Sequence, residues 1–156
     1  MGISILRSTT WVIAVCTMSL FGPSNNPSTT YADTTAVGQY VITPAPESLN
    51  ESGFYKKHVS ANGYPIISSD KVSDYALREV AYLIDLMLAK RPDVREAMIK
   101  SGSRMIVMAH NEFTTDIPEH SHLSPKTFWD ARARGLGGSS HDPVCSCAEE
   151  NVLGFK

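Results

Sequence analysis

The stretch from Ser73 to Lys90 constrains this chain more than any other. Leu77, Val80, Ala81, Ile84, Met87 and Leu88 recur at three- and four-residue steps, the signature of a helix burying one face. Tyr82, Leu83 and Leu86 widen that face, so the helix is expected to lie deep in the fold. Ser73 suits the N-cap and Asp74 the positive end of the helix dipole. Asp74 and Arg78 are spaced as an i,i+4 ion pair.

The flanking stretches are shorter but readable. Tyr55–Ser60 and Tyr64–Ser68 surround Ala61-Asn62-Gly63, and Asn-Gly between apolar-containing runs predicts a hairpin. Pro65 has no donor, which directs the second strand toward a sheet edge. Pro92 opens and Gly102 closes a second helix over Arg91–Ser101, expected to bury Val94, Met98 and Ile99. Met105–Ala109 is apolar throughout and too short for a helix, the pattern of a strand covered on both faces. Ser124-Pro125 opens a third helix through Phe128 and Trp129 toward Gly135. Gly135–Ser140 is expected as a flexible loop leading to Val144-Cys145-Ser146-Cys147. Two strands, two helices, a strand and a helix, without internal repeats, make an α+β fold.

Length allows one domain: 156 residues, 42% hydrophobic and 19% charged, suffice for a core and carry too little charge for a disordered chain. The net charge of −2 gives no electrostatic footprint for nucleic acid or an anionic membrane. Arg7 followed by the apolar run Trp11–Phe21 reads as a secretory signal peptide over residues 1–32, with cleavage near Ala32. Residues 33–53 read as an extended linker and 54–156 as the folded domain, secreted and free of membrane after signal removal. Export leaves Cys145 and Cys147 in an oxidising compartment, where a Cys-x-Cys bridge would be strained. Asn50-Glu51-Ser52 is a sequon, a possible glycosylation site only in a eukaryotic secretory route.

The candidate chemistry is sparse. His120 and His122, with Cys145 and Cys147, place two pairs of ligands two residues apart, a set that would suit tetrahedral zinc. The default for this His pair, set among Asp116, Pro118 and Glu119, is a solvated loop. Cys145 with His141 or His122 would be a nucleophilic dyad, but no spacing defines one. Glu149-Glu150 and Asp116 with Glu119 are acid/base candidates whose ordinary reading is a solvated turn. Gly135-Leu136-Gly137-Gly138 lacks the strand and GK[ST] of a phosphate cradle.

Five segments in order, FYKKHVSANGYPIISSDKVSDYAL, LMLAKRPDVREAMIKSGSRMIVMA, TTDIPEH, WDARARGLGG and CAEENVLG, span Phe54 to Gly154. Together they resemble secreted zinc metallopeptidase-like proteins, zincins with an anthrax lethal factor-like catalytic fold. In that family a segment like CAEENVLG leads to a helix carrying HExxH, whose two His bind zinc and whose Glu activates water. None of His58, His110, His120, His122 and His141 is followed by Glu, so no catalytic residue carries over. The resemblance implies the pre-catalytic half of a zincin domain, an inactive fragment or degenerate paralogue, with zinc expected only if a downstream HExxH segment exists. The alternative is a standalone secreted module that binds a peptide or protein ligand, along an edge strand for example.

Overall fold

The computed structural model describes residues 39–154; Arg7, Trp11–Phe21 and Ala32, on which the signal-peptide expectation rests, lie outside them. One five-stranded sheet organises the described chain, in the order β1 (Thr43–Pro44), β2 (Lys57–Ala61), β3 (Tyr64–Ser68), β4 (Arg104–Met108) and β5 (Val144–Ala148). The first three strands pair antiparallel, whereas β3–β4 and β4–β5 are parallel. Helices α1 (Asp74–Met87) and α2 (Pro92–Lys100) cross from β3 to β4, α3 (Lys126–Arg132) lies between β4 and β5, and α4 (Glu149–Leu153) follows β5 directly. The fold is α+β with a mixed sheet.

Local chemistry explains the boundaries. Asn62 and Gly63 both have positive φ, 47° and 91°, which a two-residue hairpin of matching twist requires. The Ser73 hydroxyl accepts the Tyr75 N–H and starts α1. Gly102, at φ 77°, ends α2 as its N–H bonds the Ile99 carbonyl and the Ser103 N–H reaches that of Met98.

The two sheet faces carry separate cores. On one, Val59, Ala61, Tyr64, Ile66 and Val107 pack against Ala76, Leu77, Val80, Ala81 and Ile84 of α1. On the other, Ile67, Ile106, Met108, Val144 and Ala148 pack with Tyr55 and Ile117 from the connecting segments.

Several expectations are corrected. β3 lies inside the sheet, not at its edge. Ala61 and Tyr64 close the tight turn, so the next pair, Ser60–Pro65, is a non-hydrogen-bonded one, and the pairing of β3 with β4 begins only at Ile66. The proline therefore removes no ladder bond. Leu86 is 60% and Met87 70% exposed: Leu86 lies half a turn around from Leu77, and Met87 belongs to a final turn that nothing covers. Asp74 pairs with Lys57 at 2.7 Å, and Arg78 donates to the Tyr40 carbonyl, so the expected helix-surface pair is not made. In α2 the buried residue is Arg95, held by Asp85 and the Ala61 carbonyl, while Ile99 is exposed.

The stretch expected as a linker contributes structure. Tyr40 is buried and bonds Asp85, and Thr43–Pro44 pair with β2. The expected Gly135–Ser140 loop is docked instead: the Ser146 N–H donates to Leu136 O and the Ala148 N–H to Arg134 O. A Cβ at Gly135 would stand 2.3 Å from the Ser146 carbonyl oxygen, so only glycine permits that approach. Alternation in Val144–Ala148 makes β5, a strand absent from the expected order.

Candidate functional site

Polar groups converge where β3, β4 and β5 end and the chain turns into α1, the segment after β4, and α4. Glu149, 3% exposed, accepts the backbone N–H of Ser73 and of His110, both at 2.9 Å, and contacts His110 Nδ1 at 3.0 Å. Burial alone would raise its carboxyl, but these donors outweigh burial and hold it below the ordinary carboxylate range. One side chain thus ties the heads of α1 and α4 to the exit of β4. Arg134 completes the cluster, donating to Glu150 Oε1 at 2.6 Å and to the carbonyls of Ala109, His110 and Glu112. Glu112, 2% exposed, accepts the Ala109 N–H.

A second polar cluster lies on the face opposite α1. Glu119 accepts Arg104 at 2.7 Å and the Tyr55 hydroxyl. Burial opposes its ionisation, yet Tyr55 and Arg104 together keep its pKa lowered. These residues, with Ser48, Leu49 and Ser52, border a cavity of about 540 Å3. Nearby, His120 is buried, its Nε2 3.0 Å from Ser146 Oγ, and burial lowers its pKa. Ser146 Oγ also accepts the Leu136 N–H, which holds the docked loop.

The structure separates the candidate zinc set. Ser146 faces His120, so Cys145 and Cys147, one residue to either side on the strand, face the other way. His122 is exposed, and the described residues contain no group of three or more His, Cys, Asp or Glu arranged to hold a metal ion. The solvated-loop reading of His120 is corrected as well, since the residue is interior. No dyad forms either: Cys145 Sγ accepts the Gly138 N–H, and His141 is exposed beside Ser140. Burial pushes the Cys147 thiol up to about 11, far from a ready nucleophile. Both cysteines are free. The acid pairs expected in solvated turns are structural, apart from the exposed Asp116, which accepts the Phe113 N–H. Asn50 is half-buried, its Oδ1 accepting the Tyr55 N–H at 2.8 Å.

Sequence reasoning missed His110, Arg104 and Arg134. The signal left unread is Glu149 itself, which directly follows an alternating strand at a place that favours a helix head. Comparison with protein-family models, curated proteins and solved structures returns no match.

Proposed function

We propose that this chain is the frame of a secreted zinc metallopeptidase-like domain and has no peptidase activity of its own. The observation that carries the reading is Glu149. In the family that the sequence resembles, the segment corresponding to CAEENVLG leads into the zinc-binding helix, and here its Glu149 is tied to the backbone of Ser73 and His110. A carboxylate shared among α1, β4 and α4 fixes the direction in which the chain leaves β5. The frame thus aims whatever follows α4, while Glu119, His120, Glu149 and Glu150 are held in structural contacts. Export rests on Arg7 and the Trp11–Phe21 run.

The test is to map the C-terminus of the secreted protein and read its transcript beyond the Lys156 codon. An HExxH within a few dozen residues of α4, joined to chelator-sensitive cleavage by that product, is the expected result. A native stop at Lys156 would favour the interaction module. That second reading draws on the outer face of α1, where Tyr75 and Leu86 align and are 71% and 60% exposed. Strand addition fits it less well, because β1 is two residues long and the loop from Arg134 to Leu136 covers the edge of β5.

A further inference from the structure

We propose that Cys145, Cys147 and Met105 form a site for one soft, thiophilic cation of the Cu(I) class. The two cysteines share a face of β5, and Met105 is the parallel register partner of Cys145 on β4. Adjacent strands lie ~4.8 Å apart, so three sulfurs are grouped on one side of two neighbouring strands. All three residues line an open groove of about 670 Å3, walled by Trp129, Arg132, Arg134, Gly137 and Asn151. Neither thiol is in a disulfide.

The spacing suits a metal better than a disulfide. Two residues of strand rise separate the Cα atoms by ~6.6 Å with Cβ directions parallel. A disulfide needs Cβ atoms within ~3.5–4.5 Å, which that backbone does not offer. Two metal–sulfur bonds of ~2.3 Å span the gap once both side chains lean inward.

Donor chemistry selects the ion. Thiolate and thioether ligands favour Cu(I), whereas structural zinc takes four nitrogen or sulfur ligands, and the nearby imidazole of His120 faces the opposite side of β5. Ligation through two thiolates displaces the thiol protons: Cu⁺ plus two RSH gives Cu(SR)₂⁻ plus two H⁺, with Met105 Sδ as a neutral third donor. The site stands independently of the peptidase-like reading.

The experiment uses the full chain carrying Cys16→Ser, reduced and anaerobic, titrated with Cu(I) against a chromophoric chelator. One ion should bind, with a thiolate-to-copper absorption band and two protons released. Cys145→Ser and Cys147→Ser should each weaken binding by at least ~100-fold and Met105→Leu by ~10-fold, with unchanged circular dichroism. Undiminished binding in the Cys145→Ser/Cys147→Ser double variant would overturn the site. If the serine variants do not fold, one equivalent of Ag(I) on the Cys16→Ser chain must protect both thiols from alkylation, read by peptide mass. Protection of one thiol or neither would also overturn it.

Discussion

On the face under α1, Val59, Ile66 and Val107 meet Leu77, Val80 and Ile84 in a continuous apolar layer. Across the sheet, a smaller apolar cluster around Ile106 and Ile117 is bordered by two hydrogen-bonded sets, Arg104 and Tyr55 on Glu119 and His120 with Ser146. The first face is held by burial, which is tolerant of detail; the second depends on every polar partner being present. Substitutions on the two faces should therefore fail differently. A charge introduced under α1 finds the buried Arg95 already taken by Asp85, while on the opposite face the harm comes from removing one member of an existing pair.

The largest expected effect is Ile84→Asp. Ile84 is 4% exposed, and an unpaired charge there costs several kcal/mol against a typical stability of ~5–15 kcal/mol. Calorimetry should find no native transition; melting within a degree or two of the unaltered chain would show that this face is not the main core.

Next comes Glu149→Ala, which strands the amides of Ser73 and His110. Urea unfolding should register a loss of ~2–4 kcal/mol, with Glu149→Gln recovering part of it. A loss below ~0.5 kcal/mol would mean that the shared carboxylate does not tie these elements together.

Smaller still is the Arg104–Glu119 pair, whose side chains are 24% and 17% exposed. Arg104→Leu and Glu119→Leu should each cost ~2 kcal/mol, and the double variant clearly less than their sum. Strict additivity would remove the contrast between the two faces.

The gentlest probe is pH. Burial lowers the His120 pKa below its ordinary 6.5, so the unfolded chain takes up that proton first and stability falls as pH drops below about 6.5. Glu119, Glu149 and Glu150 have lowered pKa values as well. Their contribution is whole above the ordinary 4.5 and is lost as pH falls through the folded values. Chemical unfolding at stepped pH should show the upper of these declines, and His120→Asn should shrink it, leaving the share of His58, whose pKa burial also lowers. An unchanged slope in that variant would place the titration elsewhere.

The same contrast decides what could be read in advance. Local signals expose these elements: α1 is legible in the period of Leu77, Val80 and Ile84, the hairpin in Asn62-Gly63, α2 in Pro92 and Gly102, and β4 in its short apolar run. Polar networks have no period. Arg95 replaces an expected apolar contact because its guanidinium reaches the Ala61 carbonyl and Asp85. Glu119 and Arg104 are 15 residues apart, and Glu149 and Ser73 are 76 apart, separations at which no sequence window pairs them. β5 escaped because Cys-Ser-Cys reads as ligands before it reads as alternation, and Pro65 misled because its missing N–H lies where no ladder bond was due.

The most direct test is a broad peptide-library digest by the purified chain supplied with excess zinc, with and without a chelator. Hydrolysis requires zinc held by about three protein ligands, an open position and a base beside the bound water. Here Glu149 is occupied by amides and His110, Glu119 by Arg104 and Tyr55, and His120 by Ser146. The expected result is no cleavage in either arm. Cleavage that the chelator abolishes would contradict the reading of this domain as a frame without catalytic machinery.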